Sequence, residues 1–287
     1  MSGLKEIRNR ISSVSSTMQI TNAMKMVSAS KLKKAQDSIS ATLPYSNKLS
    51  GLIQNISTSG ESLDSPFFIQ RSIKKILAVA ITSNKGLCGG FNSNVIKEVS
   101  RLIETKYVSK NVEIICIGKK GRDILSKKNN VIDSFNSVYD EFSYKKVKKI
   151  AELFMEKFSD ESYDEIILVY NHSKNAATQH LTIEPYLPIE EDAEESSAQA
   201  SRDYIFEPSQ SEILNELIPK ALVVQLFKAI SDSIAGEHGA RMTAMYKATE
   251  NASELRDQLK LTYNKARQTA ITNEILEIVG GAEALNS

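Results

Sequence analysis

After Pro219 the chain contains no proline, and its remaining helix breakers are Gly236, Gly239 and the Gly280–Gly281 pair. From about Ser211 to Ser287 it therefore reads as one helix. At about 1.5 Å per residue, the roughly 60 residues from Lys220 to Val279 would run on the order of 90 Å, too long for a globular core. Charges recur along it (Arg241, Lys247, Glu250, Glu254, Arg256, Asp257, Lys260, Lys265, Arg267), which excludes a membrane span. A helix of this kind needs a partner. Stepping alternately three and four residues gives the seam His238, Arg241, Met245, Ala248, Ala252, Leu255, Leu259, Thr262, Ala266, Thr269, Asn273 and Leu276. Four of these twelve are large and apolar, so the zipper is weak, and an ordinary bundle helix is the alternative for this segment alone.

The N-terminus supplies a second helix. The same stepping gives Leu4, Ile7, Ile11, Val14, Met18, Thr21, Lys25, Ser28, Leu32, Ala35 and Ile39, apolar at both ends and polar in the middle. Two long helices at opposite ends of a chain pair antiparallel if a compact segment between them folds back. The first helix is basic: Lys5, Arg8, Arg10, Lys25, Lys31, Lys33 and Lys34 stand against Glu6 and Asp37. A solvated face is one reading and contact with an acidic protein surface the other. Nucleic acid is disfavoured, because the chain sums to only +1 and no aromatics interleave with the lysines to stack bases.

The middle changes period. Lys74–Thr82, Val112–Gly118 and Asp164–Tyr170 are short apolar runs of buried-strand length, and helical stretches at about Asn94–Lys106, Lys119–Lys128 and Ser143–Phe158 lie between them. That alternation predicts a small, mainly parallel sheet of Rossmann-like topology. The expected organisation is an N-terminal coiled-coil helix (1–57), a Rossmann-like α/β domain (73–190) and a C-terminal coiled-coil helix (209–287): an α/β chain with two long terminal helices in an antiparallel coiled coil. Thr58–Ser65 and the acidic tract Glu190–Glu195 with Ser196–Ser201 read as loops.

The loop Ser83–Asn92 (SNKGLCGGFN) follows a strand and precedes a helix, the place where glycines let amides approach a phosphate. Its second glycine is followed by Phe91 and Asn92 rather than Lys and Ser or Thr, and GxGxxG is absent, so a tight structural turn is the better reading. Cys88 and Cys116 lie in apolar contexts and read as buried thiols. His172, His180 and His238 show no ligand spacing, so no metal, cofactor or catalytic triad is expected.

The opening LKEIRNRISSVSSTMQITNAMKMVSASKLKKAQ, the middle GLCGGFN and the closing EHGARMTAMYKATENASELRDQLKLTYNKARQTAITNEILEIVGGAEAL resemble, end to end, the gamma subunit of F-type ATP synthases. The resemblance implies a central-stalk rotor without catalytic residues of its own, in one copy, inside a ring of three alpha and three beta subunits. Turned by a membrane ring of c subunits, it would couple proton flow to ATP synthesis and hydrolysis. Carried residue by residue, it implies beta-subunit contacts at Met24, Lys25 and Arg241 near the mouth of the ring, and at Arg267, Gln268 and Thr272 higher up. It further implies that the tip Gly280–Ser287 sits in an apolar bearing, that Tyr204, Phe206 and Glu207 face the c ring, and that an epsilon subunit docks on the middle domain. It places the chain peripherally on the cytoplasmic face of a bacterial membrane, touching lipid only through the c ring. The regulatory dithiol insert of chloroplast relatives is not visible. No run of 18 apolar residues exists and Met1 leads directly into the amphipathic pattern, which fits that placement. A tethering coiled-coil protein is the alternative.

Overall fold

The computed structural model describes residues 2–57, 65–175, 178–189 and 210–286. The expected loops 58–64 and 190–201, and the proposed c-ring residues Tyr204, Phe206 and Glu207, lie outside the described residues. The chain divides into two compact bodies, one formed by Met1–Ser28 with Arg241–Ser287 and the other by Ala29–Ala240.

The larger body is built on a five-stranded sheet. In chain order its elements are the strand β1 (Lys75–Ile81), the helix α2 (Phe91–Thr105), β2 (Asn111–Ile117), α3 (Lys119–Leu125), β3 (Val131–Ser134), α4 (Tyr144–Ser159), β4 (Glu165–Ser173) and β5 (Gln179–Leu187). The long helices α1 (Ser2–Ser57) and α5 (Gln210–Asn286) flank this series and contribute to both bodies. The spatial order is β3-β2-β1-β4-β5, with β1 to β4 mutually parallel and β5 antiparallel at the edge. Its β3-β2-β1 portion has the strand order of half a doubly wound nucleotide-binding sheet, extended past β1 by two strands, β4 and β5.

The central strands are apolar without interruption because both faces are covered. Leu77, Val79, Ile81, Ile115 and Ile117 point to one side, where α4 (Phe154, Phe158) and the first turns of α5 (Leu222, Leu226, Ile230) pack. Ile76, Ala78, Ala80, Ile114 and Cys116 point to the other, beneath Val95, Val99 and Leu102 of α2. This alternation is the two-residue period of a strand. Neither cysteine is in a disulfide, and both are buried.

Two strands were not expected. β3 is four residues long, too short for a periodic signal, and β5 alternates exposed and shielded positions as an edge strand does and carries Pro185. Neither long helix is interrupted: α1 runs through Pro44, and α5 through Pro219 and all four of its glycines. Gly118 is different. It has φ +111°, and a Cβ there would lie 2.0 Å from the Thr82 carbonyl oxygen, so only glycine fits.

Candidate functional site

In the smaller body the two helices run side by side in opposite directions. Arg8 Nη2 donates to Tyr263 Oη at 2.8 Å, Arg256 Nη1 meets Met18 Sδ at 3.7 Å, and the Thr21 and Thr249 hydroxyls meet at 2.7 Å. Lys25 Nζ lies 5.7 Å from the Tyr246 ring centroid. Partner numbers on α5 fall as those on α1 rise, which defines an antiparallel pair. Thr21 and Ser28 are buried, and Leu4, Ile7, Ile11, Val14, Met18 and Lys25 are half-buried, so every position expected on this part of the α1 seam is shielded.

The α5 seam differs from expectation in phase. Met245, Ala248, Ala252, Leu259 and Ala266 are shielded as expected, but Leu255 is 43% exposed and Thr262 is open, while Arg256 and Tyr263 occupy the seam instead. Arg256 is held there by Ser253 Oγ at 3.2 Å and Asp257 Oδ1 at 3.0 Å, and its guanidinium holds the Asp257 carboxyl below the usual range. These long side chains lay apolar stems along α1 while their polar ends reach solvent or a partner. The seam thus sets large aliphatic residues of α1 (Leu4, Ile7, Ile11, Val14, Met18) against an α5 side made mostly of alanines, a threonine, an arginine and a tyrosine, with Met245 and Leu259 its large apolar members.

Beyond Ala266 no described residue of α5 is shielded, so Thr269, Asn273 and Leu276 close no seam. This end instead bears apolar groups facing outward: Ile271, Ile275, Ile278 and Val279 are 49–66% exposed. At 100° per residue they share one stripe, turned away from the side that carries the seam lower down. The outer face of α1 has a shorter counterpart in Ile20 and Val27, with Met26 beside them. Sequence reasoning followed the seam and missed this second apolar register, although its three- and four-residue spacings are present in the sequence.

The expected beta-contact residues fall in two groups. Lys25 and Met24 are half-buried on α1, Lys25 is beside Tyr246, and Arg241 begins this stretch of α5 with 7% of its surface exposed. Arg267, Gln268 and Thr272 are exposed on the unaccompanied end, where they line a shallow groove with Leu261, Asn264, Lys265 and Ile271. Thr272 sits one turn above Gln268, and its hydroxyl donates to the Gln268 carbonyl at 2.9 Å. Residues 280–282 of the tip are exposed.

In the larger body, the glycine-rich loop is filled by its own side chains. Ser83 N donates to Asn92 Oδ1 at 2.9 Å, Ser83 Oγ donates to the Lys85 carbonyl at 2.6 Å, and Asn92 Nδ2 reaches Cys88 Sγ at 3.2 Å. Leu87 and Gly89 take the positive φ values, 61° and 59°, that turn the chain. The amide of Ser83 is therefore engaged by Asn92, as a tight turn requires.

The profile of the ATP synthase family matches residues 3–285. The chain is 60% identical to the ATP synthase gamma chain of Flavobacterium johnsoniae over the full length of both, and 48% identical to that of Cytophaga hutchinsonii, again with full coverage of both. Among solved structures it is similar in fold to a chain of the Euglena gracilis mitochondrial ATP synthase in an OSCP/F1/c-ring structure, with TM-score 0.71, 24% identity and coverage of 99% of this chain and 95% of that one. A rotor structure of the same enzyme gives TM-score 0.68 at 22% identity, covering 94% of this chain and 99% of that one. A chain that holds both an antiparallel helix pair and a Rossmann-like sheet body, matched over its whole length by these relatives, leaves one assignment: it belongs to the ATP synthase gamma chain family.

Proposed function

We infer that this chain is the central-stalk rotor of an F-type ATP synthase, carrying rotation of a membrane c ring to an alpha/beta catalytic head. The observation that carries the reading is the helix pair: inside, a seam whose α5 side is mostly small or polar, and outside, apolar residues at Ile20, Val27, Ile271, Ile275 and Ile278 that shun water yet have no partner within the described chain. Such a shaft suits enclosure by a sleeve of other subunits.

One asymmetric shaft presents a different face to each of three equivalent beta sites. In free-energy terms it acts as a ligand whose affinity differs between site conformations, and it shifts their populations by that difference alone. Rotation exchanges the biases among the sites, so turning work becomes synthesis in one direction and hydrolysis in the other. On this reading the chemistry belongs to the head and the chain supplies no acid, base or nucleophile. Met24, Lys25 and Arg241 meet beta subunits at the mouth of the ring, and Arg267, Gln268 and Thr272 meet them higher up. The tip enters an apolar bearing, Tyr204, Phe206 and Glu207 face the c ring, and an epsilon subunit docks on the sheet body. The chain then serves in one copy on the cytoplasmic face of a bacterial membrane. No helix among the described residues is long and apolar enough to cross a membrane, which accords with attachment through other subunits.

Co-expression with the head subunits, followed by native mass measurement and an ATPase assay, tests the reading. A complex with three alpha and three beta copies that hydrolyses ATP is expected, and truncation after Asn264 reports the weight of the upper shaft. Homodimers that never join a ring would overturn the assignment in favour of a tethering coiled coil.

A further inference from the structure

Within the larger body, α5 lies on β4 and β5 along one stripe whose members recur every three or four residues: Leu222, Gln225, Ala229, Asp232 and Gly236. In a packed helix these positions are ordinarily apolar throughout. Here three of the five make directed contacts and a fourth, Gly236, marks a close approach. Buried Tyr186 Oη donates to the Leu222 carbonyl at 3.0 Å. Gln225 Nε2 donates to Glu184 Oε1 at 2.8 Å and to the Pro185 carbonyl at 3.1 Å, while Glu184 Oε2 accepts from Tyr170 Oη at 2.6 Å. Asp232 Oδ2 meets His172 Nδ1 at 2.8 Å, with the aspartate 3% exposed. At Gly236 the missing side chain lets the helix settle onto the sheet, since a Cβ there would stand 3.3 Å from Gln179 Cγ and 3.4 Å from both the Asn171 carbonyl oxygen and Phe91 Cε2.

Burying an aspartate and half-burying a glutamine in a helix–sheet interface costs stability relative to aliphatic residues, so their presence needs another explanation. Apolar packing is non-directional, and helices held by it alone slide and roll by small shears. Hydrogen bonds have preferred angles and break when the helix turns about its axis. A polar residue in an apolar seam fixes register, the best attested use of such groups.

We propose that the Gln225–Glu184 and Asp232–His172 contacts are a registration joint that locks α5 against rotation on the sheet, so that turning force applied to the sheet body reaches the helix without slip. The proposal rests on the rotor reading and assigns His172, Glu184, Gln225 and Asp232 as positioning residues for rotary coupling. The hydroxyl of Tyr170 steadies Glu184 from the same sheet face, Tyr186 adds a third point of attachment at Leu222, and Lys228 and Glu184 are the charged neighbours of Asp232.

The test uses the complete complex in inverted membrane vesicles, with ATP hydrolysis and the ATP-driven membrane potential, read by a voltage-sensitive dye, measured on the same preparation. H172A with Q225L is expected to assemble and hydrolyse ATP while the potential generated per ATP hydrolysed falls by roughly threefold or more, the effect of losing two directed contacts. H172A alone should give a smaller fall. H172Q, which keeps a donor toward Asp232, should stay within roughly twofold of the unaltered chain. An unchanged ratio in H172A and in the double variant would overturn the joint, and so would a loss of hydrolysis and potential in step with lost assembly, which marks a purely structural role. If the unaltered chain itself fails to assemble or to generate a potential, the rotor reading fails instead.

Discussion

Thr21 and Thr249 touch hydroxyl to hydroxyl, 2.7 Å apart, at the level where α1 passes α5. Each hydroxyl also lies near a carbonyl of its own helix, Met18 O at 3.1 Å and Met245 O at 2.8 Å, so neither depends wholly on the other. Replacing both by valine exchanges a polar contact for an apolar one of the same shape. The double variant is expected to melt within the equivalent of about 1 kcal/mol of the unaltered complex. Calorimetry of the assembled complex checks it, and a larger loss would mean that the seam depends on this contact.

Gly118→Ala should be among the most damaging single-methyl changes. The added carbon would enter the Thr82 carbonyl at a φ that other residues rarely adopt, so either the turn between β2 and α3 or the end of β1 must move. A loss of at least about 3 kcal/mol is expected, read as a drop in melting temperature or in soluble yield. Unchanged melting would show that the turn is softer than its geometry implies.

Asp164 ties the start of β4 to the start of β1. Partial burial acts to raise its carboxyl, but the N–H groups of Lys75 and Lys74, donating at 2.9 and 2.8 Å, prevail and hold it below the usual aspartate range. A carboxyl depressed in the folded state stabilises the fold above its unfolded pKa of about 3.9, and the contribution is lost as pH falls through the lower folded value. The stability difference between the unaltered chain and D164N should be roughly 1 kcal/mol and flat above about pH 5, then shrink below about pH 4. Denaturant titrations across that range measure it, and a difference that grew on acidification would contradict the assignment.

Neither cysteine should react in the native complex. Burial pushes the Cys116 thiol up to about 12, with Arg122 opposing only in part, and Cys88 is 2% exposed. At pH 8 iodoacetamide is expected to leave both unmodified over an hour and to label both after denaturation, as counted by mass spectrometry. Labelling of the native protein would show that the sheet opens on that timescale.

Arg267→Ala separates contact from stability. The side chain is exposed on the unaccompanied end of α5, so the melting temperature of the complex should shift by no more than the equivalent of about 0.5 kcal/mol. ATP hydrolysis by the complex should fall if Arg267 meets a beta subunit. Unchanged turnover would remove Arg267 from the contact set.

Much of this arrangement was legible before any coordinates. The α1 seam could be read position by position because one partner covers one stripe along that helix. The α5 seam could not, since strict steps of three and four land on Leu255 and Thr262, whereas Arg256 and Tyr263 are long enough to cover α1 and still satisfy their polar ends. The three central strands announced themselves as continuous apolar runs, while β3 and β5, short or half-covered, carry no such mark. The polar stripe from Leu222 to Gly236 was invisible for another reason: glutamine, aspartate and glycine on a helix read as a solvated face until the sheet beneath them is known. The outer stripe at Ile271, Ile275 and Ile278 was legible, and was missed because the seam was the pattern sought.

The ending of the helix pair near Ala266 also sets how the shaft deforms. Two helices joined along a seam resist bending and twisting more than either does singly, so the stretch with α1 alongside is the stiff section and the segment from Arg267 onward the compliant one. Under load the elastic strain of this pair gathers in the lone helix. A catalytic site gripping that segment would feel a spring, whereas one bearing on the doubled section would feel a rigid cam.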